Sequence, residues 1–299
     1  MPARVARLRI DGGGRSDWDS VALDRAAFVE LVGSQGRALY RDLPWRNVDD
    51  PYAVLVSEVM LQQTQVARVE KHWTRFMGLF PTVDALAAAS VSDVLAQWQG
   101  LGYNRRALAL KRTADACASF CASTLPRTVP ELMELPGIGP ATAAGVVAFA
   151  YDEPSVYIET NVRTVFLHEL FPERDKVNDR ELFPYVADTC PEQGVRAWYY
   201  ALLDYGAHLK TQVANPSRRS AHYARQSAFQ GSHRQKRSFV LKQVLAAPEG
   251  TGAAEVAARL DESEREQGRS PLDPAVFEAL VDELAREGFF LREGDLLVP

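Results

Sequence analysis

The sequence predicts an all-α body followed by a small C-terminal module of three short helices and a strand hairpin. Apolar residues recur at spacings of three and four along most of the chain before residue 230, which is the period of a helix with one buried face. A Gly-Ile-Gly turn separates two helix-compatible stretches, Val129–Leu135 and Pro140–Tyr151. Near the C-terminus two apolar runs flank a Glu-Gly-Asp turn, as in a strand hairpin.

The same period locates the other helices. Prolines at 51 and 81 punctuate them, and we expect Asp93 and Thr128 to cap helix N-termini. Within the body, only Ser155–Ile158 looks extended. The predicted body helices are Val21–Tyr40, Pro51–Phe80, Val91–Trp98, Ala107–Ser123 and Leu182–Leu203. The module has predicted helices at Arg237–Ala247, Ala253–Leu260 and Pro274–Glu287, with strands inside Phe289–Val298. Three helices and a hairpin are typical of a winged-helix-like module.

Composition favours a globular protein of the reducing cytoplasm. With 299 residues, 46% of them hydrophobic, the chain is long enough for two or three domains. No apolar run approaches the ~20 residues that cross a bilayer. Residues 1–20 read as a disordered leader. Cys117 and Cys121 are spaced for a metal pair, but without a further ligand nearby they are favoured as buried structural thiols.

Charge is unevenly distributed along the chain. The net charge is −5, yet residues 249–299 carry thirteen acids against five arginines, which leaves the preceding residues with a net charge of +3. Residues 205–248 contain eight Lys and Arg and no acid. Such a basic stretch suits a polyanion, and a solvated linker is the alternative. For the acidic module we favour packing or partner binding over DNA binding.

The Gly-Ile-Gly turn is the most informative motif. Gly137 and Gly139 can take backbone angles closed to other residues, and they allow another molecule to approach the main chain. Pro140 suits the first turn of the next helix, whose unpaired N–H groups form a site for an anion. In a helix-hairpin-helix that anion is a DNA phosphate. An ordinary helical hairpin is the alternative.

A second motif carries a carboxyl group. Glu58 falls in the first turns of an apolar predicted helix, between Leu55 and Val59, so we expect it to be partly buried. Burial disfavours the charged form and raises the pKa, which gives an acid able to donate a proton near neutral pH. The polar run Gln62–Gln65 favours contacts with bases. An exposed helical glutamate is the alternative.

Six segments together resemble the MutY-type adenine DNA glycosylases of the helix-hairpin-helix superfamily, which also holds endonuclease III. The likeness in order and spacing runs from about Ala26 to Gln226 with almost no gaps. The segments are Leu43–Arg46, Pro51–Tyr52, Ser57–Gln65, Gln99–Tyr103, Leu135–Gly145 and Asn161–Val162. The resemblance implies a two-domain helix-hairpin-helix glycosylase fold. Its predicted parts are one helical domain of residues 21–51 and 160–230, a six-helix domain of residues 52–159 with the hairpin, and the winged-helix-like module at 236–299.

The resemblance also implies where the chemistry lies. The family excises a base that is flipped out of the duplex, because the target bond is unreachable within the stack. Glu58 would protonate the departing base, and Glu159 would stabilise the oxocarbenium-like sugar. The family carries Asp-Gly-Asn at this second position, where this chain has Glu-Thr-Asn at residues 159–161. The second carboxyl group is therefore displaced by one methylene.

Other positions depart from the family pattern. Ala141 stands where endonuclease III has a nucleophilic Lys and MutY proteins have Ser or Tyr, which implies a monofunctional glycosylase without strand cleavage. Tyr200 stands where adenine glycosylases can have a Glu that hydrogen-bonds adenine. Iron–sulfur clusters are held by thiolates, and none of the four positions of the cluster cysteines is a cysteine here. We therefore expect no cluster and no other metal. The four positions of the cluster cysteines hold Lys210, Ser217, Ser220 and Gln226.

Further contacts are implied by the same resemblance. Arg41, Trp45 and Arg46 match the wall of the base pocket, which we expect to include Tyr200; an Arg beside a Trp as a structural cation–π pair is the alternative. The remaining matches would touch DNA by wedging, by stacking or through phosphates. These predicted DNA-binding residues are Gln63, Tyr103, Gly137, Gly139, Ala141, Arg218 and Arg219.

The sequence thus predicts a monofunctional, metal-free DNA glycosylase of base excision repair. Its first expected substrate is adenine opposite guanine or 8-oxoguanine in double-stranded DNA. One alternative is a glycosylase of altered specificity that removes uracil, hypoxanthine or an oxidised pyrimidine. The other is a non-catalytic protein that binds lesions or mismatches. We expect a cytoplasmic, nucleoid-associated protein that binds no membrane, with the acidic module open to a protein partner.

Overall fold

The computed structural model describes residues 15–224 and 228–299, and this part of the chain is mostly helical, as predicted. The described ranges contain fourteen α-helices and three short strands. The helices are α1 (Arg25–Leu39), α2 (Pro51–Leu61), α3 (Val66–Leu79), α4 (Val83–Ala88), α5 (Val91–Trp98), α6 (Arg105–Phe120), α7 (Val129–Met133), α8 (Pro140–Ala150), α9 (Thr160–Glu169), α10 (Asp179–Thr189), α11 (Val195–Gln212), α12 (His233–Leu245), α13 (Ala253–Glu266) and α14 (Pro274–Glu287). The strands are β1 (Thr251–Gly252), β2 (Leu291–Glu293) and β3 (Leu296–Val298).

Most predicted helices are confirmed, and α5 and α14 keep their predicted bounds. Two predicted helices are each split in two. The predicted helix Pro51–Phe80 breaks after α2, where Gln63 takes a left-handed φ of 54°. The predicted helix Leu182–Leu203 breaks before α11, where Gly194 takes a φ of 72°. The helices α4 and α9 were not predicted, and Ser155–Ile158 forms no strand.

Caps were predicted for the helices α5 and α7, and both helices begin with a side-chain cap. Thr128 accepts a hydrogen bond from the backbone N–H of Glu131 at the start of α7, as predicted. The cap of α5 is Ser90, whose hydroxyl accepts from the backbone N–H of Asp93 at 3.0 Å. The prediction of Asp93 as the cap was therefore wrong. Its carboxyl group instead accepts from the Ser90 hydroxyl inside the first turn.

The chain divides into two compact units that differ from the predicted domains. Unit 1 is Met1–Glu58 with Leu125–Arg225, and unit 2 is Val59–Thr124 with Gln226–Pro299. The hairpin helices α7 and α8 belong to unit 1, although the prediction joined them to all of residues 52–159. The C-terminal module belongs to unit 2 together with α3 to α6. The two predicted catalytic residues, Glu58 and Glu159, both lie in unit 1.

Close helix packing in unit 1 depends on two glycines. A Cβ at Gly36 of α1 would collide with the side chain of Ala201 on α11. A Cβ at Gly206 of α11 would collide with the backbone carbonyl of Asn161, in the first turn of α9. The missing side chains let the backbone of α11 lie directly against both helices. The start of α9, which carries Glu159 as its cap, is thereby fixed against α11.

The C-terminal module in unit 2 has the predicted winged-helix order. Three helices and the hairpin of β2 and β3 are present, and β1, which was not predicted, pairs with β3 to give the order β1-β3-β2. Arg105 of α6 pairs with Glu283 and Glu287 of α14 at 3.0 and 2.5 Å, and Arg237 of α12 pairs with the same two carboxylates at 2.7 Å each. Part of the module's acidity is thus neutralised within unit 2, which favours the predicted packing role.

The described part of the predicted leader is ordered, so that prediction was wrong for residues 15–20. Trp18 packs edge-on against Tyr185 with ring centroids 5.1 Å apart, and its indole N–H donates to Asp188 at 2.8 Å. Residues 1–14 lie outside the described residues. Among the described helices, none combines the length and the apolar character that crossing a membrane requires.

Candidate active site

Glu58 lies near the C-terminal end of α2, and the prediction that it falls in the first turns of its helix was wrong. The helix is shorter than predicted and buries nearly all of its side chains. Leu55 and Val59 are 1% and 3% exposed, whereas Glu58 is half-buried. The predicted partial burial is thus confirmed. A carboxyl group here sits among apolar side chains yet stays within reach of a ligand.

Three residues surround this carboxyl group, and with Glu58 we call them the acid pocket: Gly145, Tyr157 and Glu159. The phenol of Tyr157 donates to Oε2 of Glu58 at 3.1 Å. A Cβ at Gly145 of α8 would collide with the same Oε2 and would lie 3.0 Å from Cε2 of Tyr157. The last glycine of the hairpin motif therefore leaves room for the carboxyl group against the backbone of α8.

The environment of Glu58 changes its acidity. The pKa of Glu58 is raised from 4.5 to about 8, chiefly by burial; the hydrogen bond from Tyr157 lowers it and the nearby charge of Glu159 raises it. The carboxyl group is therefore protonated at neutral pH. This confirms the predicted raised pKa and provides a proton donor in the acid pocket.

Glu159 is the N-cap of α9. Its Oε1 accepts hydrogen bonds from the backbone N–H groups of Asn161 and Val162, the latter at 3.0 Å. Burial raises the pKa of Glu159, while these hydrogen bonds and the charge of Lys210 lower it. The charge of Glu159 raises the pKa of Glu58, so the two carboxyl groups interact electrostatically. The extra methylene relative to Asp does not prevent this.

A second group of charges in unit 1 surrounds Asp204, which is 2% exposed. Arg46, 4% exposed, donates to both carboxylate oxygens of Asp204 at 2.6 and 2.8 Å, and Arg41 donates to Oδ1 at 2.6 Å. We call these three residues the arginine network. The predicted pocket-wall residues Arg41 and Arg46 are therefore brought together, but their guanidinium groups are largely engaged by Asp204.

Tyr200 links the arginine network to the acid pocket. Its ring stacks on Phe149 at 4.8 Å with an interplanar angle of 5°, and the guanidinium of Arg46 lies 4.3 Å from the ring centroid. Burial raises the pKa of Tyr200, Arg46 lowers it and the charge of Glu58 raises it. The phenol of Tyr200 thus interacts electrostatically with Glu58, and its place in a base pocket stays a prediction. The remaining predicted wall residue, Trp45, is buried, with 4% of its surface exposed.

The hairpin has the predicted conformation. Gly137 takes a left-handed φ of 77°, and Gly139 is the N-cap of α8, with no heavy atom within 4 Å of the position of a Cβ. Pro140 is the first residue of α8, and Ala141 behind it is exposed. The first N–H groups of a helix have no acceptor within it, so this exposed turn offers donors to an anion.

Gln63 and Tyr103, two of the predicted DNA-binding residues, lie in turns of unit 2, and each takes a left-handed backbone conformation. Gln63 and Tyr103 have φ values of 54° and 50°. Arg106 joins the two turns through six hydrogen bonds, which include bonds to the carbonyl oxygens of Gln62 and Leu101. The phenol of Tyr103 also accepts from Arg234 of α12 at 2.5 Å. Arg106 was not singled out from sequence because four of its six partners lie 42 to 47 positions away along the chain.

The arginines of the basic stretch at residues 205–248 differ in their surroundings. Arg219 donates to the carbonyl oxygens of Leu167 in α9 and of Phe171 and Pro172 after it, so its guanidinium has a structural role. Arg237 is engaged by the module's glutamates, as described above. Arg218 is exposed, and its guanidinium has no hydrogen bond or ion pair with any described residue. Of the two predicted phosphate contacts, only Arg218 is therefore available to a ligand.

The positions of the cluster cysteines carry groups that do not fit an iron–sulfur cluster. Ser217 is 4% exposed and its hydroxyl shares a 2.7 Å hydrogen bond with Thr164, and Ser220 accepts from the backbone N–H of His222. Lys210 interacts with Glu159. Hydroxyl and ammonium groups cannot replace the thiolates of a cluster. Gln226 lies outside the described residues.

Comparison with known proteins agrees with this geometry. Residues 56–192 match the family model "HhH-GPD superfamily base excision DNA repair protein". Over these residues the chain is similar to the helix-hairpin-helix superfamily of base excision DNA repair proteins. An adenine DNA glycosylase of Mycolicibacterium smegmatis is 40% identical over 185 residues, which cover 61% of this chain and 63% of that protein. The mouse adenine DNA glycosylase is 41% identical over 134 residues, 42% of this chain and 26% of that protein. The predicted resemblance to MutY-type enzymes is confirmed.

Solved structures support the fold. A thermostable thymine-DNA glycosylase has a TM-score of 0.55 at 24% identity and covers 61% of this chain and 86% of its own. Endonuclease III, in a trapped covalent complex with DNA, has a TM-score of 0.52 at 19% identity and covers 62% of this chain and 87% of its own. The chain spans less than two thirds of the length of the curated relatives it matches. These similarities confirm the predicted glycosylase fold.

Proposed function

We propose that the protein is a monofunctional DNA glycosylase of base excision repair, with Glu58 as its general acid. The observation that carries this proposal is the acid pocket. A half-buried carboxyl group with a pKa of about 8 lies against the hairpin helix α8, in a chain similar to the glycosylase superfamily. Relatives named adenine DNA glycosylases support the reaction class.

In the proposed reaction, an everted nucleotide enters the acid pocket. Glu58 transfers its proton to a ring nitrogen of the base as the glycosidic C–N bond breaks, and the bonding electron pair leaves with the base. The sugar becomes an oxocarbenium-like cation, which the negative charge of Glu159 stabilises. Water then attacks C1′ and gives its proton to the Glu58 carboxylate. The acid is thereby restored, and the products are free base and an abasic site.

Two features oppose the effect of burial, which raises the pKa of Glu159. Its hydrogen bonds from the start of α9 and the charge of Lys210 both lower its pKa. Both therefore favour the ionised form that a neighbouring sugar cation requires. Lys210 stands at one of the four positions that the family resemblance assigns to cluster cysteines, and it provides a positive charge there.

The substrate that we propose first is adenine opposite guanine or 8-oxoguanine, from the likeness to adenine DNA glycosylases. A specific observation favours altered specificity as the second candidate. Tyr200 presents a phenol, stacked on Phe149 and covered by Arg46, close to Glu58. A phenol reads a base edge differently from a carboxylate, so uracil, hypoxanthine or an oxidised pyrimidine are the alternatives.

Base release from a panel of labelled duplexes tests the substrate. The panel contains adenine opposite guanine, 8-oxoguanine and thymine, together with uracil, hypoxanthine and oxidised pyrimidines. We expect fastest release from adenine opposite guanine or 8-oxoguanine under single-turnover conditions. Faster release of one of the other bases would replace adenine by that base and keep the reaction class. Absence of release from every duplex would contradict the enzymatic proposal.

Replacement of Glu58 tests the general acid. In Glu58→Gln we expect base release to fall by at least about 100-fold, because proton transfer is lost, while DNA binding is retained. Glu30→Gln on the exposed face of α1 is the matched control and should keep full activity. Equal release by Glu58→Gln and Glu30→Gln would show that the acid is elsewhere. Binding of mismatched DNA by an inactive wild-type protein would favour the non-catalytic alternative.

Strand cleavage and the cluster have separate tests. Because Ala141 has no amine, we expect no covalent complex with abasic DNA after borohydride treatment. Formation of such a complex would contradict the monofunctional proposal. We also propose that the enzyme functions without an iron–sulfur cluster. An absorption band near the visible region that accompanies activity would contradict that proposal.

We propose double-stranded DNA as the partner, in the cytoplasm. A protein partner at the acidic module stays a prediction. It has less support because Glu283 and Glu287 are paired with arginines of unit 2, and Glu278 pairs with Arg292 inside the module at 2.7 Å.

A further inference from the structure

Tyr157 contacts the proposed acid directly, although no sequence motif pointed to it. Its side chain is 5% exposed and its hydroxyl donates to Oε2 of Glu58. We propose that Tyr157 is a positioning residue, which holds Oε2 as an acceptor so that the transferable proton of Glu58 resides on Oε1. This inference rests on the proposed function and adds to it the residue that selects the proton-bearing oxygen.

The ring of Tyr157 is held on several sides. Its centroid lies 5.2 Å from that of Phe149 and 5.4 Å from that of Tyr199, both in edge-on geometry. Its backbone N–H donates to the hydroxyl of Tyr199 at 3.1 Å, and that hydroxyl donates to the carbonyl of Ser155 at 2.5 Å. A ring fixed in this way keeps its hydroxyl directed at Glu58.

The phenol of Tyr157 cannot easily exchange roles with the carboxyl group. Burial raises the pKa of Tyr157 well above its ordinary value, and the charges of Glu58 and Glu159 raise it further. The phenol therefore keeps its proton over the range in which Glu58 titrates. Since it donates that proton to Oε2, the oxygen left to carry the acid proton in the neutral pocket is Oε1.

The same hydrogen bond favours release of the proton. A donor to a carboxylate stabilises its charged form, so Tyr157 lowers the pKa of Glu58 against the opposing effect of burial. The other titratable groups facing Glu58 are Glu159 and Tyr200, and α8 contributes only Gly145 at this contact. Loss of the Tyr157 hydroxyl alone should therefore shift the titration of Glu58 to higher pH.

The test uses Tyr157→Phe, which keeps the ring and removes one oxygen. The rate of base release is measured under single-turnover conditions from pH 5.5 to 9.5, on the duplex that the wild type processes fastest. We expect the rate to fall by about 10- to 100-fold at the optimum because the acid is no longer held in place. We also expect the loss of activity at alkaline pH to begin at a higher pH than in the wild type.

Tyr205→Phe is the matched control. The phenol of Tyr205 also donates to a half-buried glutamate, Oε1 of Glu169 at 2.5 Å, within the same unit. Its removal should leave the alkaline limb of the pH profile unchanged. If Tyr157 were needed only for packing, Tyr157→Phe would behave like Tyr205→Phe in both rate and profile, and the proposal would be wrong.

A second measurement separates this inference from the proposed function. The pH dependence of unfolding reports the titration of Glu58 without any substrate. For Tyr157→Phe, we expect the decline in stability with pH to extend to higher pH than in the wild type. An active wild type with unchanged profiles in Tyr157→Phe would overturn the role of Tyr157 alone. A wild type inactive on every duplex would overturn both proposals.

Discussion

The acid pocket and the arginine network are two groups of buried charge in unit 1, and the fold satisfies them differently. The carboxylate of Asp204 accepts hydrogen bonds from two arginines, so its charge is neutralised. Glu58 has a neutral phenol as its donor and the like charge of Glu159 nearby. Loss of one partner from a paired buried charge strongly destabilises a fold, whereas a buried carboxyl group without a counter-charge is held in an unfavourable environment, as groups at functional sites often are.

Asp204→Asn gives the largest expected effect. The substitution leaves Arg46 buried without a counter-charge, and we expect the free energy of unfolding to fall by about 3–5 kcal/mol. Urea unfolding at pH 7 measures this. The control is Asp49→Asn, because Asp49 pairs with Arg196 at 2.6 Å while its side chain is 86% exposed, and its loss should cost less than about 1 kcal/mol. Equal effects of the two substitutions would remove the distinction between the network and a surface ion pair.

Glu58→Gln should raise the free energy of unfolding at alkaline pH, whereas Asp204→Asn should lower it. The pKa of Glu58 is about 8 in the folded protein and 4.5 in the unfolded chain. Between pH 4.5 and 8 the folded state therefore holds a proton on Glu58 that the unfolded state has lost. The stability contributed by this proton is complete below about pH 4.5 and is lost as pH rises through about 8.

We therefore expect Glu58→Gln to be more stable than the wild type above pH 8, by an amount on the order of 3 kcal/mol, with little difference near pH 4. Urea unfolding over this pH range measures the change. Glu159 titrates with a raised pKa as well, so the comparison is made between the two proteins at each pH. Lower stability of Glu58→Gln at pH 9 would mean that the carboxylate is paired and that the two groups of charge are alike.

Gly145→Ala examines the space in the acid pocket. The added methyl group would collide with Oε2 of Glu58 and crowd Tyr157, so we expect a loss of about 1–3 kcal/mol in the free energy of unfolding. The control is Gly33→Ala in α1, where the nearest atom to the new Cβ is Nη1 of Arg37 at 3.6 Å. That change should stabilise the helix by about 0.5–1 kcal/mol. A stabilised Gly145→Ala protein would show that the carboxyl group does not rest against α8.

The helices were predictable where the apolar period is clear within the helix, which length alone does not ensure, since the ten-residue α9 was missed. The eight residues of α5 and the fourteen of α14 give a clear apolar stripe, and their bounds agree. The six residues of α4 span fewer than two turns, so their period is too short to separate from the neighbouring segments. The two residues of β1 become a strand only by pairing with β3, which no local pattern reveals.

Within the candidate site, sequence predicted the residues whose surroundings are local. The apolar neighbours of Glu58 in its own helix foretold its burial and raised pKa. The partners that define its chemistry are distant, since Tyr157 lies 99 positions away along the chain. Asp204 is separated from Arg46 by 158 positions. Such contacts arise only when the chain folds, which is why both were missed.

The smallest expected effect concerns two adjacent arginines. One has partners within the fold, and the other has a side chain left for a ligand. Arg219 donates to three carbonyl oxygens and is satisfied by the fold, whereas the guanidinium of Arg218 is exposed without a partner among the described residues. We expect Arg218→Ala to weaken DNA binding for all sequences alike and to reduce the slope of log K against log salt by about 0.9, the value for one phosphate contact. Stability should not change.

Arg219→Ala should instead lower the free energy of unfolding, by about 1–3 kcal/mol, because three carbonyl oxygens lose their donor. Two measurements on both variants distinguish the two roles. DNA binding is titrated between about 50 and 200 mM salt, a range over which phosphate contacts change the affinity. Urea unfolding gives the stability. A reduced salt slope in Arg219→Ala at unchanged stability would show that its guanidinium leaves the carbonyl groups to bind DNA. The division between charges that the fold satisfies and charges it leaves for a ligand would then not hold at the surface.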